Sequence, residues 1–407
     1  MPTDRRPAAG PHRPVRPAPR RPPAPAARPR ARASSSVRRA RTAAALAGVL
    51  VVLAGVLVVR GIHHAPPARG APAAPVRVQV SVALARCTFV DTSRSTMDYV
   101  DHVSTPGRRI VAEVYYPTYA LASGGRALVS ELSASERGPH PAVFFVGGYN
   151  VDPSRYSALL TQWAGAGIVV VALEPPDANE AAIAKIGGSF ADEADIPNQP
   201  GDVAFATRRV LADAAGRGAG CRVLRGLVDP AEIGLAGQSD GGTTVAMLEF
   251  DQGAPPGQTA TYRSLAAGLH YRAIAVMSGA AYGDDPYAAL PGSPPLLVVQ
   301  SATDRCNPPV ASVDLYAALA ATRRWFLGLR DARHLTPYEG QAAAAFAVVS
   351  KVTLAFFSAA LRGGDPGPAM LAAGNARPSV AALTSGATVP PFVDVPRVQS
   401  AASCYET

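Results

Sequence analysis

From about Pro75 onward the chain alternates short apolar runs with longer amphipathic stretches. The runs at 77–84 (RVQVSVAL), 109–116 (RIVAEVYY), 142–147 (AVFFVG), 168–173 (IVVVAL), 232–237 (EIGLAG), 273–279 (AIAVMSG), 295–301 (PLLVVQS) and 324–329 (RWFLGL) predict strands. Several are β-branched and apolar throughout, the pattern of strands buried on both faces of a parallel sheet. Between them, 154–166, 201–215, 243–250 and 313–321 predict helices, and a longer one at 341–363 stops at a Gly-Gly pair. Strand and helix in alternation predict an α/β fold with a mostly parallel, doubly wound sheet and helices on both faces. Two connections, 174–200 and 251–270, are too long for ordinary turns, and we assign them to the walls of a binding cleft.

The first 41 residues break this pattern. They combine Pro, Ala and Arg with almost nothing large and apolar, so no core can form there and the segment reads as a disordered tail. It also accounts for the charge. The formal balance is +9 over 407 residues, but 12 Arg against Asp4 put +11 in residues 1–41, and the remainder carries about −2. The folded part offers no basic run with interleaved aromatics, so no nucleic-acid partner is expected.

Thr42 to Val59 follow as 18 residues without a charge, closed by Arg60. A helix of that length, rising about 1.5 Å per residue, nearly spans a hydrocarbon core of about 30 Å, with Arg41 and Arg60 able to snorkel to the two surfaces. Three readings compete: an uncleaved signal-anchor, a signal peptide cleaved in the small-residue stretch ARGAPAAP, and a buried soluble helix. The anchor is preferred because the run exceeds the usual signal h-region of roughly 7 to 15 residues. The arginines before it keep the tail cytoplasmic, so both leading readings send the body of the protein out of the cytoplasm. The four cysteines, with no C-x-x-C spacing, fit that placement. Of the three possible pairings, Cys306 with Cys404 and Cys87 with Cys221 is preferred, since the first would pin the C-terminal tail; four free, buried cysteines are the alternative.

The candidate chemistry sits in IGLAGQSDGGTT, residues 233–244. A strand before and a helix after make Gly237-Gln238-Ser239-Asp240-Gly241 a sharp turn with serine at its apex, tolerable only if the flanking positions lack side chains. Such a turn lifts the hydroxyl clear of the sheet and aims backbone N–H groups of the helix N-terminus at the same spot. A serine hydroxyl needs a base. Among seven histidines, His12 lies in the tail, His63 and His64 beside the apolar segment, His102 and His140 before the serine, and His270 ahead of a strand. His334 remains, directly after the last predicted strand. The carboxylate that would orient it is Asp304, 65 residues after Ser239 and 30 before His334; Asp284, Asp285 and Asp331 are weaker alternatives. Two N–H donors are needed for a developing oxyanion. One is Asp240, and the other comes from the GGYN loop after 142–147, with Tyr149 preferred and Gly148 the alternative.

The order Ser239, Asp304, His334, with GQSDGG and VGGYN each after a strand and SATDRCNPP before a C-terminal histidine loop, resembles an α/β-hydrolase. Within that superfamily the chain resembles the platelet-activating-factor acetylhydrolase, chlorophyllase and dienelactone-hydrolase-like group, and more distantly the bacterial cutinase-like polyesterases. The likeness runs from Val76 to Gly364, about seven-tenths of the chain. The organisation expected is a tail (1–41), a membrane segment (42–59), a linker (60–75), an α/β-hydrolase domain (76–364) and a C-terminal extension (365–407). The resemblance implies a serine esterase acting on a lipid or small acyl ester, with no cofactor and no metal. Gln238 stands where many relatives have histidine, Asp240 replaces a methionine, leucine or phenylalanine, and the tryptophan that packs an aromatic ester in polyesterases is absent, which disfavours polyesters. With no cysteine as nucleophile, true dienelactone hydrolysis is disfavoured too. An acyltransferase of envelope lipids using the same residues, and a non-catalytic binding module at the membrane, are the alternatives.

Overall fold

The computed structural model describes residues 77–98, 103–123, 126–132, 138–179, 195–255, 258–281 and 286–393. Residues 42–59, Cys404, Asp284 and Asp285 lie outside them, so the membrane segment, the cysteine expected opposite Cys306 and two of the alternative acids have no structural counterpart here.

The strands are β1 (Arg77–Asp98), β2 (Val103–Ser123), β3 (Arg126–Leu132), β4 (His140–Val146), β5 (Val169–Glu174), β6 (Val228–Gln238), β7 (Tyr271–Met277), β8 (Leu296–Ser301), β9 (Arg324–Leu329) and β10 (Ala381–Ser385). The helices are α1 (Ser157–Gly165), α2 (Gln199–Ala214), α3 (Asp240–Phe250), α4 (Tyr262–Leu265), α5 (Pro309–Ala318), α6 (Thr336–Glu339), α7 (Ala343–Ala360) and α8 (Gly367–Gly374). The sheet runs β1-β2-β5-β4-β6-β7-β8-β9-β10, with β3 paired to β2. It is parallel from β5 to β9 and antiparallel at both margins. The chain is therefore α/β with a mostly parallel sheet, as the alternation of runs predicts.

Why both faces are covered follows from the side-chain alternation of a strand. In β4, Ala142, Phe144 and Val146 point into one core, and Val143 and Phe145 into the other. The same division holds along β5 and β8. The first core is closed by α2, α3 and α5 through Val203, Val210, Val245, Leu248 and Leu315. The second is closed by α1 and α7 through Leu160, Trp163, Val349, Val352 and Phe357. Helix α7 is long and apolar enough to cross a membrane, yet it buries Val348, Val349, Val352, Phe356 and Phe357 against the sheet and reads as a core helix.

Three features depart from the expected pattern. The first two strands are 22 and 21 residues long and pair as one antiparallel ribbon, because the polar stretch around Thr92 to Thr96 continues the pairing past a bulge instead of ending it. The segment after Gly364, expected to be a loose extension, contributes α8 and β10, and β10 covers the free edge of β9. Within 251–270, Tyr262–Leu265 forms a short helix whose Thr261 side chain caps the N–H of Ser264.

Cys87 and Cys221 form a disulfide, the pairing preferred from the sequence, tying β1 to the turn before β6. Cys306 is also disulfide-bonded. Further along the β1–β2 ribbon lies a buried charge network. The Arg108 guanidinium forks onto Asp195 (2.7 and 2.9 Å) and Asp202 (2.6 and 2.7 Å), and Arg94 joins Asp202 (2.6 Å) to Asp91 (2.7 Å). This network bolts the β1–β2 ribbon to the first turn of α2. Removing one partner from such a cluster strands uncompensated charge, so Arg108→Met is expected to cost about 3 to 5 kcal/mol of stability. Urea denaturation is the check; a loss under about 1 kcal/mol would show that the cluster does not hold the ribbon in place.

Candidate active site

The parallel strands β4, β6, β8 and β9 end on one side of the sheet, and every residue singled out from the sequence lies just beyond one of those ends: Tyr149 after β4, Ser239 and Asp240 after β6, Asp304 after β8 and His334 after β9. From β4 the chain passes to β5 on one side and then to β6 on the other. Strand order thus reverses between β4 and β6, and the crevice at such a switch point is where open α/β sheets bind ligands. His140 opens β4 and His270 precedes β7, so both sit at the opposite ends of their strands.

Ser239 joins β6 to α3 with φ 55° and ψ −124°, a left-handed conformation that costs a non-glycine residue of order 1–3 kcal/mol. Its N–H donates to the Met277 carbonyl (2.9 Å) and its carbonyl accepts from Thr243 (2.9 Å), so the strained turn is held from both sides. The flanking glycines are demanded by space. A methyl group on Gly237 would lie 2.0 Å from the carbonyl oxygen of Gly241, and one on Gly241 would lie 2.1 Å from that of Val146. The G-x-S-x-G spacing is therefore what lets α3 start directly against the end of β4. Asp240 opens that helix and is buried, so its N–H belongs to the group of amides aimed out of the helix N-terminus beside Ser239.

The GGYN loop approaches closely as well. A side chain on Gly148 would stand 3.0 Å from Ser239 Cβ and 2.8 Å from Gln238 Oε1. The Gly148 N–H donates to the Tyr156 hydroxyl (2.9 Å), which commits that amide elsewhere; Tyr149, the next residue of this loop, is buried.

His334 Nδ1 lies 2.8 Å from Asp304 Oδ2. The Asp304 carboxylate is buried and also accepts from Gln300 Nε2 (3.1 Å) and from the backbone N–H groups of Cys306 (2.9 Å) and Asn307 (3.1 Å). These bonds fix its orientation: Oδ1 takes the two backbone N–H groups, and Oδ2 is turned to Gln300 Nε2 and the ring. Asp304, Cys306 and His334 are close enough to suggest a metal site. Their chemistry argues otherwise: the Cys306 sulfur is in a disulfide and His334 Nδ1 is already engaged by Asp304. Asp331 accepts from Thr303 Oγ1 (3.2 Å), a bond that ties two loops together.

Of the residues beneath these, sequence reading singled out Gln238 only as an unusual neighbour of Ser239 and missed Tyr156 and Tyr338. The Gln238 side chain is buried, accepts from the Tyr156 hydroxyl at Oε1 (2.7 Å), and places Nε2 3.2 Å from His334 Nε2 and 3.3 Å from the His334 carbonyl. Burial pushes the Tyr156 phenol far above the ordinary tyrosine range, a rise reinforced by Glu339, Tyr338 and Asp240 and opposed by the Gly148 N–H. Burial does the same to Tyr338, whose hydroxyl meets that of Ser278 at 2.9 Å. Both tyrosines are neutral hydroxyls at any working pH. His334 Nε2 is engaged by Gln238, and among the described residues no hydrogen bond joins it to Ser239 Oγ.

In comparisons with known proteins, no family and no curated protein matches the chain.

Proposed function

We propose that the chain is a serine hydrolase of the α/β-hydrolase type that cleaves a carboxylic ester, a lipid or small acyl ester, through an acyl-enzyme. One observation carries the reading: a serine held at φ 55° on a glycine-walled strand-to-helix turn, beside the sheet's switch point, follows directly on Gln238, whose amide touches His334, and that histidine pairs at 2.8 Å with the buried Asp304. A strained backbone and a desolvated carboxylate both cost stability, and their meeting in one crevice is what a catalytic site requires.

In this mechanism Ser239 Oγ attacks the ester carbonyl while His334 Nε2 takes its proton. Asp304 holds the ring in the Nδ1–H tautomer and stabilises the imidazolium. The carbonyl oxygen becomes an oxyanion received by the N–H groups of Asp240 and Tyr149. His334 then protonates the leaving alcohol, and water releases the acyl group by the same route. General-base catalysis is worth about 10²- to 10⁴-fold and an oxyanion donor about 10²- to 10³-fold. The disulfide between Cys87 and Cys221 supports an oxidising compartment, consistent with a body anchored by residues 42–59 outside the cytoplasm.

The test is to expose the detergent-solubilised full chain to a fluorophosphonate and, separately, to p-nitrophenyl acetate and longer-chain esters. We expect one phosphonyl group on Ser239 and turnover with saturable kinetics. A folded protein that neither labels nor turns over any ester would sink the proposal and favour the binding-module alternative.

A further inference from the structure

The hydrogen bonds around His334 permit one arrangement of protons. Asp304 already takes three N–H donors on its carboxylate, so the ring nitrogen facing it, Nδ1, carries hydrogen and Nε2 presents a lone pair. The Gly148 N–H donates to the Tyr156 oxygen, so the Tyr156 hydrogen goes to Gln238 Oε1. That fixes the Gln238 amide with its NH₂ end toward His334, 3.2 Å from Nε2 and 3.3 Å from the backbone oxygen. The Gly148 loop is thereby wired to the histidine through two buried side chains, Tyr156 and Gln238.

We propose that Gln238 is a positioning residue that acts through His334: its N–H holds the ring in the Nδ1–H tautomer and opposes protonation at Nε2, with Tyr156 and Gly148 fixing which end of the amide faces the ring. The inference rests on the esterase reading for its meaning, since there His334 is the base. The physics is simple. A donor pointed at Nε2 stabilises the neutral ring, whereas a proton arriving at Nε2 would face that N–H and break the contact. The ring is then held in the Nδ1–H tautomer before substrate arrives, and the Gln238 N–H leaves Nε2 when Ser239 Oγ delivers its proton there. This also gives the departure from histidine at position 238 a role: the glutamine presents a donor whose orientation is dictated by Tyr156.

The ionisable groups on the surrounding elements are Asp304 after β8, Asp240 on α3, Tyr338 and Glu339 on α6, Arg155 and Tyr156 on the turn before α1, and Asp331 and Arg333 in the loop of His334 itself. Glu339 pairs with Arg155 at 2.5 Å. All remain in place in Gln238→Met and Gln238→Glu, so they form a common background.

The experiment titrates His334 by long-range ¹H–¹⁵N spectroscopy of the ¹⁵N-histidine-labelled full chain, with the resonances assigned by their loss in His334→Gln. Wild type is expected to show Nδ1–H with an accepting Nε2. The midpoint of protonation should rise from wild type to Gln238→Met, and Gln238→Glu should lie about 1 to 3 pH units above wild type, as an opposite charge at contact distance brings. Tyr156→Phe, which unpins Oε1 and lets the amide turn over, should raise the midpoint less than Gln238→Glu. It keeps the test decisive if the glutamate variant does not fold. Midpoints unmoved in Gln238→Met and Tyr156→Phe, or a wild type with hydrogen on Nε2, would overturn the proposal; a purely structural Gln238 would alter stability and leave the midpoint alone. The readout does not need turnover, so an inactive wild type would count against the esterase reading, and an active one with unmoved midpoints against Gln238 alone.

Discussion

If the proposed esterase reading holds, Ser239→Ala is expected to abolish fluorophosphonate labelling and to lower ester turnover by about 10⁶-fold in kcat, the scale of losing the nucleophile from a serine–histidine–carboxylate set. The alanine keeps the Cβ, so the turn retains its backbone strain and its bonds to Met277 and Thr243, and the fold is expected to survive. Relief of the buried demands on the hydroxyl is small, because Ser239 is only half-buried. Substrate affinity should change little, since the backbone N–H groups of Asp240 and Tyr149 remain. Residual catalysis from those donors alone, about 10³- to 10⁴-fold over water, sets the floor. Paired measurements of kcat, labelling stoichiometry and the urea midpoint separate loss of chemistry from loss of structure. A variant that retained more than a tenth of wild-type turnover would show that the hydrolysis runs through some other group.

Much of the scaffold was legible because the informative strands are buried on both faces. The run RWFLGL forms β9 over the residues predicted, and β4, β5, β7 and β8 begin or end within two residues of theirs, since an unbroken apolar stretch of that length has little else to become. Helix starts were less legible. Helix α3 begins at Asp240 instead of Thr243 because Gly241 and Gly242 read as breakers in isolation, whereas the approach of Val146 demands glycine at 241 and that of Gly279 leaves little room at 242. Helices α2 and α5 begin two and four residues early, at turns where Pro200 and Pro309 sit in the first helical positions, a placement that suits proline. Strand β10 is short and alanine-rich and owes its conformation to the edge of β9, a tertiary partner no local pattern reveals.

The site divides the same way. Ser239, Asp304 and His334, the proposed triad, each follow a recognisable strand, and the glycines around Ser239 mark the turn. Gln238 was visible only as an unusual neighbour, and nothing local identified Tyr156, which meets it across 82 positions of sequence. Gln300 and Asn307 hold Asp304 in place, yet both look in sequence like ordinary polar residues at a strand end. The groups proposed to do chemistry sit at predictable places in the fold, while the groups that orient them are chosen by packing.

That distinction shapes what Asp304→Asn should do. The asparagine preserves volume and can keep an oxygen toward the N–H groups of Cys306 and Asn307, so the loop after β8 is expected to stay folded although the bond from Gln300 Nε2 to the replaced oxygen is lost. Its NH₂ would then turn toward His334 Nδ1 and donate, which forces the ring proton onto Nε2 and removes the lone pair that must receive the Ser239 proton. The loss expected in kcat is about 10⁴-fold, as for the tautomer error in a serine–histidine–aspartate set. Gln238 adds a feature particular to this chain: the Nε2–H of the wrong tautomer would face the Gln238 N–H at 3.2 Å, donor against donor. The ring must then move off Gln238, or the amide must turn and give up Tyr156. The double variant Asp304→Asn with Gln238→Glu supplies an acceptor at that point and should relieve the clash without restoring turnover, because Nε2 still carries the proton. Circular dichroism and the urea midpoint would register the relief, and kcat would stay near the level of the single variant. A single variant within tenfold of wild type would mean that Asp304 only anchors its loop and that another group orients the base.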